Sequence, residues 1–492
     1  MMSAALRIFE WPVDADDVLP LALWDAERIA AATGGVASAD FQASGVEIDS
    51  RDVVPGDLFF ALKGESMDGH RFIDAAFAKG AVAAVVDRPI NGPHILVNDT
   101  STALELLAKV ARSRTKARII GVTGSVGKTG VKEAIFAALE RSSRGGAHRS
   151  VKSYNNHVGV PLSLARMPAR SKFGIFEMGM NHAGEIARLT SQVRPDVAVI
   201  TTIAPAHIEM LGSEEAIADA KAEIFTGLVP AAGQKAGIAI IPADSPHHAR
   251  LKEAAELYAE AVVSFGRAPH ADVRLLDAVA AHDGGSLVTV DLGDRRMCYT
   301  VAAPGEHWVI NSLAVMAAVR AVGGDLGAAG LALAEMEGLE GRGARAEIAT
   351  SDGGTALLID ESYNANPTSM RATLAQLGAT PAKRRIAVLG AMKELGAHSP
   401  AFHAAMAEPI RAAGIDRLVL VGDEMRALAD ELGKSAPVAL GKLLTFAHCG
   451  NAKEAQEALL AIGLESGDAI LVKGSNSVGL GALVTALAGK EG

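Results

Sequence analysis

Short apolar runs alternate with longer helix-forming segments along most of this chain. In the middle of the chain each strand-like run is followed by a turn or a helical pattern, and these runs lie at 118–122, 173–178, 197–203 and 236–241. The same alternation returns towards the carboxyl terminus, at 356–360, 385–389, 417–421 and 469–472. Strands that alternate with helices are typical of a mostly parallel sheet covered on both faces. The pattern therefore predicts an α/β protein.

Length and two breaks in this pattern predict three domains. A chain of 492 residues suits about three domains of ~150 residues each. A basic stretch at 109–118 marks the first break, and the glycine-rich connector 338–343 marks the second. A hairpin turning near 283–285 is expected between them. The predicted domains are a small α/β domain at 1–116, a central parallel-sheet domain at 117–335 and a Rossmann-like α/β domain at 336–492.

One glycine-rich segment follows the first central strand. Its sequence is Gly121-Val-Thr-Gly124-Ser-Val-Gly127-Lys128-Thr129, and a helical pattern comes next. In such loops backbone N–H groups approach phosphates, the lysine reaches the β- and γ-phosphates, and the threonine hydroxyl can ligate Mg²⁺. The usual spacing would put glycine at 122, where this chain has valine, so the loop is a variant P-loop. A turn without a ligand is the structural alternative, but Lys-Thr at the start of a helix favours a nucleotide triphosphate.

Composition narrows the classes of protein that fit. Hydrophobic residues make up 49% of the chain and charged residues 21%, which favours a globular protein over a disordered one. The net charge of −10 and the lack of a long basic run argue against a nucleic-acid partner. Phosphorylated ligands are therefore expected to bind at local sites, and not through an overall positive field.

The chain shows no pattern of secretion or membrane insertion. Its first ten residues lack the apolar core of a signal peptide, and no apolar run approaches the ~18 residues that span a bilayer. The two cysteines, Cys298 and Cys449, lie far apart, which favours buried free thiols over a disulfide framework. We expect a soluble cytoplasmic protein.

Three ionisable residues near the central strands could carry chemistry. Glu177 ends a strand beside the P-loop strand, where a carboxylate can hold Mg²⁺, although surface carboxylates at strand ends are as common. His207 also follows a buried strand, but a lone histidine there is more often a structural hydrogen-bonding group. Lys221 lies on an amphipathic helical pattern, where a solvated lysine is the simplest interpretation. From the residues alone these alternatives stay open.

Two loops are rich in polar side chains. The segment 155–161, with sequence Asn-Asn-His-Val-Gly-Val-Pro, leads into a helical pattern, so its asparagines could simply begin a helix. The segment 360–367, with sequence Asp-Glu-Ser-Tyr-Asn-Ala-Asn-Pro, follows an apolar strand. Its density of polar side chains at the carboxyl end of a strand favours a functional role.

Together these segments resemble the Mur ligase family, the ATP-dependent amide-forming enzymes of peptidoglycan assembly. The resemblance covers nearly the whole chain. In the first domain it rests on Asp-Ser-Arg at 49–51, Pro-Gly-Asp-Leu-Phe-Phe at 55–60 and Asp-Gly-His at 68–70. In the central domain it rests on the variant P-loop, on Glu177, His207 and Lys221, and on 305–311, where Trp308 replaces a frequent asparagine. Within the family, 155–161, 177–186 and 363–367 are most similar to the member that adds D-alanyl-D-alanine.

The resemblance implies an enzyme that joins D-alanyl-D-alanine to UDP-MurNAc-tripeptide in peptidoglycan precursor synthesis. Transfer of the γ-phosphoryl group of ATP would turn a carboxylate into an acyl phosphate, which the dipeptide amine attacks. The negative charge of these groups must be neutralised. ATP and two Mg²⁺ ions are implied as cofactors, and the family suggests a monomer.

Site roles are carried over from the resemblance, residue by residue. Catalysis is implied for Lys128, Glu177, His207 and Lys221. Metal binding is implied for Thr129, Glu177, His207 and Lys221. Nucleotide binding is implied for Gly124, Ser125, Val126, Gly127, Lys128, Thr129, Asn311, Arg342, Arg345 and Asp360. Substrate binding is implied for Ser50, Arg51, Asp68, His70, Asn155, Asn156, Asn181, His182, Tyr363, Asn364 and Asn366.

Two of these assignments carry a specific expectation. A cationic lysine beside metal ions would be repelled, and in related ligases the corresponding lysine is carbamoylated, so the resemblance implies a carbamate on Lys221. An arginine of the connector is expected to reach the phosphates when the domains close, with the surrounding glycines as a hinge. Arg342 and Arg345 are both candidates.

Other functions remain as alternatives. The family member that adds the third amino acid usually carries an Asp-Asn-Pro-Arg stretch, which is absent here. A folylpolyglutamate synthase would not need the segment 49–51. A non-catalytic P-loop switch would be expected to show a guanine-selecting Asn/Thr-Lys-x-Asp motif, which is also absent.

Overall fold

Three large β-sheets organise the residues that the computed structural model describes, which are 22–64, 67–228, 234–281, 285–434 and 445–489. The chain divides into two compact units. The first contains the residues up to Arg114 together with Leu164–Ala169, and the second contains Thr115–Ser163 and the chain from Arg170 onward. One large sheet lies in the first unit and two lie in the second. The predicted α/β class is confirmed, while the predicted domain boundaries stay predictions.

The first unit is a small α/β sheet with helices. Its described strands pair in the order β2-β7-β6-β5-β4, parallel except for β2 with β7, and β1 pairs with β3 in a separate ribbon. Its elements are β1 Trp24–Asp25, α1 Ala26–Thr33, β2 Val36–Ala37, β3 Gln42–Ala43, β4 Gly45–Glu47, β5 Asp57–Phe60, α2 Ile73–Ala78, β6 Ala83–Val86, β7 His94–Leu96 and α3 Thr100–Arg114.

A later segment of the chain completes this first unit. The indole nitrogen Nε1 of buried Trp24 donates a hydrogen bond of 2.8 Å to the carbonyl of Ala165. The guanidinium carbon of Arg114 lies 3.7 Å from the centre of the Trp24 ring, and its Nη2 donates to the carbonyl of Met167 over 3.2 Å. Residues 164–169 are therefore bonded into the sheet-forming unit that precedes them in the chain.

The second unit begins with the central sheet. Its described strands follow the order β16-β15-β14-β13-β12-β11-β8-β10-β9, and the parallel part runs from β14 to β9. Its elements are β8 Arg118–Thr123, α4 Lys128–Ser143, β9 Ala147–Arg149, α5 Gly159–Ala165, β10 Phe173–Glu177, α6 Glu185–Val193, β11 Val197–Ile200, α7 Ile208–Leu211, α8 Glu214–Ala222, β12 Ile238–Pro242, α9 His248–Glu256, β13 Ala261–Gly266, β14 Val273–Ala280, β15 Ser286–Asp291, β16 Arg296–Val301, α10 Glu306–Ala321 and α11 Leu326–Glu335.

Strand β8 lies inside this sheet, and its position brings three strand ends together. Ile119, Ile120 and Val122 on β8 are completely buried, as expected for a strand covered on both faces. β10 and β11 flank it, and the register aligns Glu177 with Val122. Because ligands bind beyond the carboxyl ends of parallel strands, the P-loop and Glu177 lie where a site is expected.

The third sheet lies in the same unit and follows the glycine-rich connector. Among the described residues its strands run in the order β17-β18-β22-β19-β20-β21, parallel except for β17 with β18. Its elements are β17 Ala344–Ala349, β18 Thr355–Glu361, α12 Pro367–Ala379, β19 Arg385–Gly390, α13 Ser399–Ala404, α14 Ala407–Ala412, β20 Arg417–Val421, α15 Arg426–Lys434, β21 Thr445–Cys449, α16 Ala452–Ile462, β22 Ala469–Lys473 and α17 Leu480–Leu487.

In the second unit the structure adds strands that the apolar pattern did not predict, namely β9, β13, β17 and β21, and in the first unit it adds the two-residue strands β1, β2 and β3. The expected hairpin exists as the antiparallel pair β14–β15, although its turn residues 283 and 284 lie outside the described residues. The amino-terminal residues on which the signal-peptide expectation rests also lie outside them. Within the described ranges, no helix combines the length and apolar character needed to cross a bilayer.

Candidate active site

The P-loop turns sharply between β8 and α4, and two glycines make that turn possible. Gly124 has φ +150° and Gly127 has φ +87°, both in the region that favours glycine. A Cβ atom at Gly124 would lie 2.0 Å from the Thr201 hydroxyl oxygen, and one at Gly127 would lie 2.9 Å from the Asn311 side chain. The loop is therefore packed tightly on both sides, with its backbone open towards the cavity.

Lys128 begins α4 and folds back over the loop. Its Nζ donates a hydrogen bond of 2.7 Å to the carbonyl of Gly124. Burial lowers the pKa of Lys128, the carboxylate of Glu177 opposes that shift, and the Arg342 guanidinium adds to it. Two cations, one from α4 and one from the connector before β17, thus lie close to the loop, where they can meet the negative charge of a phosphate chain.

Glu177 lies at the centre of a polar cluster below the loop. The side chain is completely buried. Its Oε2 accepts from the Thr129 hydroxyl over 2.9 Å, and its Oε1 accepts from the Asn155 amide over 2.7 Å. Lys132 Nζ lies 4.0 Å from Oε2. A buried carboxylate that shares a threonine hydroxyl at the start of a P-loop helix is a suitable donor set for Mg²⁺.

A cavity of about 300 Å³ joins this cluster to the carboxyl-terminal sheet. That volume lies at the lower end of the range of small-molecule sites. Most of the predicted site residues of the second unit line the cavity, namely Ser125, Val126, Gly127, Lys128, Asn155, Glu177, Asn181, His207, Lys221, Asn311, Arg342, Tyr363, Asn364 and Asn366. The structure therefore brings together side chains that are far apart in sequence.

Lys221 lines this cavity from α8 and is only 1% exposed. Among the described residues, no carboxylate or hydrogen-bond acceptor pairs with its amino group. Burial and the nearby Lys128 cation hold the pKa of Lys221 well below its usual range. The surface lysine that the helical pattern suggested is thus an unpaired buried amine.

His207 lines the same cavity and contacts the carboxyl-terminal sheet domain. Its Nδ1 lies 2.6 Å from Oε2 of Glu394, a residue that precedes the short helical turn Gly396–His398. The His207 side chain is 21% exposed and that of Glu394 is 49% exposed. The His207 ring, whose Nδ1 faces this carboxylate without a hydrogen bond of standard geometry, lowers the pKa of Glu394.

The opposite wall of the cavity comes from the connector and from the ends of β18 and β22. The guanidinium carbon of Arg342 lies 4.0 Å from the centre of the Tyr363 ring, and its Nη2 donates to Ser153 Oγ over 3.2 Å. Lys473 Nζ donates to Glu361 Oε2 over 3.3 Å and to the carbonyl of Asn364 over 2.9 Å. This wall therefore presents both a cation and a carboxylate to a ligand.

The two arginine candidates of the connector lie in different places. Arg342 lines the cavity and is partly buried, whereas Arg345 lies on β17, is exposed and does not line it. Desolvation lowers the pKa of Arg345 all the same. Asp360 is buried and outside the cavity wall, where its carboxylate accepts from the backbone N–H groups of Gly341 and Ser362. A nucleotide contact by Arg345 or Asp360 stays a prediction.

Several predicted polar residues have local structural partners. Asn156 Oδ1 accepts from the backbone N–H of Gly159 over 2.9 Å at the start of α5. Asn366 is the N-cap of α12 and forms a capping box with Ser369. His182 Nδ1 lies 3.1 Å from Glu185 Oε1. Neither Asn156 nor His182 lines the cavity.

The predicted residues of the first unit form a charged cluster and a turn. Asp68 Oδ1 accepts from the backbone N–H and from Nδ1 of His70, and Asp68 Oδ2 accepts from Arg88 over 2.7 Å. Nε2 of His70 lies 3.1 Å from Asp87 Oδ1. Arg51 is 86% exposed and pairs with Asp49. The hydrogen bond from Arg88, followed by the backbone N–H of His70, holds the pKa of Asp68 well below its usual range.

The sequence did not single out every residue of this site. Glu394, Lys473 and Ser153 contact or line it without having been assigned a site role, and Glu361, His307 and Trp308 line it from the segments 305–311 and 360–367, in which they were assigned no role. Lys473 and Glu361 had a signal, since both end apolar strands of the third sheet. Glu394 was assigned no role, because it lies in a loop that reaches the cavity residue His207 only through folding.

The implied magnesium would have to find its ligands among these side chains. Within the described ranges, no three His, Cys, Asp or Glu side chains come close enough to hold a metal ion by themselves. The residues present nevertheless fit Mg²⁺, since buried Glu177 shares a hydrogen bond with the Thr129 hydroxyl and lines the same cavity as His207 and Lys221. The amino group of Lys221 fits only if it acquires negative charge.

A P-loop on a parallel sheet, with a buried carboxylate beside it and a second α/β domain lining the same cavity, defines a nucleotide-binding α/β protein. Three family models match successive parts of the chain. The model "Mur ligase family, catalytic domain" matches residues 42–117, and the model "Mur ligase middle domain" matches residues 122–319. The model "Mur ligase, glutamate ligase domain" matches residues 344–476. The chain belongs to the Mur ligase family.

Individual relatives show which members of the family this chain is similar to. The chain is 37% identical over 460 residues to UDP-N-acetylmuramoyl-tripeptide–D-alanyl-D-alanine ligase of Synechocystis sp., covering 92% of this chain and 93% of the relative. The structure of MurF from Acinetobacter baumannii is similar, with a TM-score of 0.79 and 29% identity, over 95% of this chain and 99% of that one. MurF ligase from Thermotoga maritima, solved in complex with ADP, has a TM-score of 0.70 and 25% identity, over 91% and 97%.

Proposed function

We propose that this chain is the ATP-dependent ligase that joins D-alanyl-D-alanine to UDP-MurNAc-tripeptide in peptidoglycan precursor synthesis. One observation carries the proposal. A single cavity combines the P-loop, Glu177, His207 and Lys221 of the central domain with Arg342, Tyr363 and Lys473 of the carboxyl-terminal domain. The names of the relatives supply the substrates, since the chain spans over nine tenths of the Synechocystis ligase.

The cations of the cavity suit phosphoryl transfer. A carboxylate is a poor electrophile, and transfer of the γ-phosphoryl group gives it a leaving group that an amine can displace. Catalysis then depends on positioning and on neutralising negative charge. We assign this role to Lys128 at the β- and γ-phosphates and to Arg342, which lies in the cavity with Lys128 and is held by Tyr363 and Ser153. Arg345 is the less suitable arginine because it is exposed outside the cavity.

Two magnesium ions would be held by Thr129, Glu177, His207 and Lys221. When bound, Mg²⁺ supplies positive charge that neutralises phosphate and carboxylate oxygens. Asn155 orients Glu177 through its amide hydrogen bond, and Thr129 shares the other carboxylate oxygen. These partners keep the Glu177 carboxylate in place inside a fully buried site.

A carbamate on Lys221 would give this residue the negative charge that a magnesium ligand needs. A neutral amine adds to CO₂ to give a carbamate anion and one released proton. The buried position of Lys221, its lack of a described acidic partner and its lowered pKa favour the neutral amine that this reaction needs. The anion would then offset Lys128 and help to hold a metal ion.

The substrate residues follow the division of the chain. We assign the UDP-sugar to the first unit, through Ser50, Arg51, Asp68 and His70. We assign the peptide carboxylate to the loops of Asn155, Asn156, Asn181 and His182, and the incoming dipeptide to the wall of Tyr363, Asn364 and Asn366. The Glu361–Lys473 pair on that wall can recognise a zwitterion, since it presents one charge of each sign.

The test is ADP release by the purified protein with ATP, Mg²⁺ and UDP-MurNAc-tripeptide, with and without D-alanyl-D-alanine. Turnover that needs both the tripeptide and the dipeptide is the expected result. Turnover with UDP-MurNAc-dipeptide and diaminopimelate in their place would move the assignment one step earlier in the pathway. No turnover with any of these substrates would refute a Mur ligase activity and leave nucleotide binding alone.

The carbamate has its own test. Wild-type activity is expected to fall in CO₂-depleted buffer and to return with bicarbonate. Lys221→Ala is expected to be inactive and to recover part of its activity with short carboxylates such as formate. Full activity of Lys221→Ala without any addition would refute the carbamate.

We also expect a monomer that works in the cytoplasm, where ATP is available. One chain provides every cavity residue described here, so a second copy is not needed to complete the site. Light scattering coupled to size exclusion should give a mass near 50.7 kDa.

A further inference from the structure

Glu394 meets His207 from the carboxyl-terminal sheet domain, at the edge of the cavity. Glu394 Oε2 lies 2.6 Å from His207 Nδ1. Glu394 itself is not part of the cavity wall, whereas His207 is. Nδ1 is buried and makes no hydrogen bond of standard geometry with the described residues, so the Glu394 carboxylate is the charged group that it faces, and Nε2 is the nitrogen left to bind a ligand inside the cavity.

The backbone around both residues is unusual for their type. His207 has φ +60° and Glu394 has φ +64°, a left-handed conformation that is unfavourable for residues other than glycine. Such strain persists where the surrounding structure fixes it, and it is frequent at functional sites. The contact therefore joins two strained loops.

Further contacts hold these loops against each other. The backbone N–H of Glu209 donates to the carbonyl of Glu394 over 3.3 Å. A Cβ atom at Gly396 would lie 3.1 Å from the Glu209 side chain, so the two loops pack closely. The His207–Glu394 pair is fixed by its neighbours, unlike an isolated ion pair between flexible surface side chains.

Metal-binding histidines in proteins commonly have a contact of this kind. A histidine that ligates a metal through one nitrogen almost always donates the other N–H to a carboxylate or a carbonyl. That bond fixes the tautomer and the ring orientation and makes the ligating nitrogen more basic. A proton on Nδ1, which faces the Glu394 carboxylate over 2.6 Å, would leave the lone pair of Nε2 for the cavity.

We propose that Glu394 is a positioning residue for the metal site, which holds His207 in the Nδ1–H tautomer with Nε2 presented to the cation. The proposal rests on the proposed function in that it takes His207 as a metal ligand. It adds a link between the two sheets, because the carboxylate comes from the carboxyl-terminal domain while the histidine comes from the central one. Metal binding and docking of the two domains then favour each other, as linkage requires.

The experiment measures metal affinity directly. Mn²⁺ is titrated into the ADP-saturated full-length protein and followed by electron paramagnetic resonance. Glu394→Gly is the main variant, because glycine adopts the left-handed backbone without steric cost, so its thermal midpoint should equal or exceed that of the wild type. Its Mn²⁺ affinity should fall about 10-fold. Glu394→Gln, which keeps a neutral acceptor, should show a smaller fall.

Glu424→Gln is the matched control. Glu424 pairs with Lys393, next to Glu394 in the chain, and does not line the cavity. Its Mn²⁺ affinity should equal that of the wild type. Equal affinity of Glu394→Gly and wild type would overturn the proposal, as would an equal loss in Glu424→Gln, since the loss would then not depend on Glu394.

A second readout reports the tautomer. Nitrogen-15 spectra of histidine-labelled protein should show Nδ1–H for His207, with the signal assigned through its loss in His207→Gln, and Glu394→Gly should abolish that preference. An Nε2–H tautomer in the wild type would overturn the proposal. Both readouts work without turnover, so a protein that fails the ligase assay but shows these changes would refute the proposed function and retain this inference.

Discussion

Lys132 lies on the P-loop helix α4 and Lys221 lies on α8; both side chains are buried, and their surroundings differ completely. Lys132 is fully buried and donates to the carbonyls of Ser150 and Lys152, each over 2.8 Å. It also lies 2.9 Å from Glu133 Oε1. Lys221 is 1% exposed, and no described acceptor or carboxylate pairs with its amino group.

The difference distinguishes a lysine that stabilises the fold from a lysine that is available for catalysis or modification. A buried cation with acceptors on several sides contributes to stability, because removing it leaves those acceptors unpaired. A buried amine without partners costs free energy in the folded state unless a ligand or a modification supplies the missing charge. Burial alone would not have distinguished the two lysines, whereas their partners do.

The largest effect is expected for Lys221→Met. We expect turnover to fall on the order of 10³-fold, the upper range for loss of one group that stabilises transition-state charge. The free energy of unfolding should stay the same or rise, since a buried amine is replaced by an apolar side chain. ADP-release kinetics and urea unfolding measure the two quantities. A Lys221→Met variant that is destabilised and still active would contradict the distinction drawn between Lys221 and Lys132.

Lys132→Met should give the opposite result. Two carbonyls lose their lysine donor and the carboxylate of Glu133 keeps Arg149 but loses Lys132, so the free energy of unfolding should fall by about 3 kcal/mol. Urea unfolding alongside Lys221→Met is the measurement. Unchanged stability of Lys132→Met would contradict the structural role assigned to this lysine.

A substitution at Gly130 would report how tightly the P-loop helix α4 is packed. A Cβ atom there would lie 2.7 Å from Cη2 of Trp308 on α10. Gly130→Ala is therefore expected to cost about 2 kcal/mol through overpacking, measured as a lower urea midpoint. Adding Trp308→Leu should restore part of that loss by making room. A double variant no more stable than Gly130→Ala would show that the Trp308 contact is not the cause.

Arg342→Lys should lower turnover about 10-fold, because lysine lacks the planar fork and the stacking on Tyr363. The KM for ATP and kcat are measured together with those of Arg345→Lys, the exposed control on the next strand. Arg345→Lys is expected to behave as the wild type. An equal loss in both variants would mean that position in the cavity does not distinguish the two arginines.

The smallest effect is expected in the first unit, where Asp68 has partners on both oxygens. Asp68→Asn should lower the free energy of unfolding by about 1 kcal/mol at neutral pH, as for loss of a capping carboxylate. Because the folded pKa of Asp68 lies below its unfolded value of ~3.9, its contribution is present above that value and is lost as the pH falls from there through the folded pKa. Urea unfolding should therefore show a smaller difference between wild type and variant in acid. A difference that grows in acid would contradict this assignment.

The sequence predicted the parts of the site that a local motif encodes. The P-loop and the strand-end carboxylate Glu177 belong to this group, since turn geometry and strand position follow from neighbouring residues. The sequence also supported the α/β class, because the buried parallel strands are apolar throughout. Strands without an apolar run escaped prediction, as in β17, whose residues are mostly exposed.

The remaining parts depend on contacts between distant segments. The burial of Lys221 follows from the packing of α8, and its helical pattern alone suggested solvent. The choice between Arg342 and Arg345 depends on how the connector turns at Gly341 and Gly343, and the Glu394–His207 pair depends on two loops that meet only in the folded protein. No local pattern carries such information.

The segment Leu164–Ala169 has a consequence for how the chain is made. Its carbonyls accept from Trp24 and Arg114, so the first unit lacks these bonds until the ribosome has passed residue 169. By then the P-loop has already been synthesised. The amino-terminal unit therefore cannot finish folding before the nucleotide-binding loop exists, and a fragment ending at Arg114 would leave the Trp24 indole N–H without its acceptor.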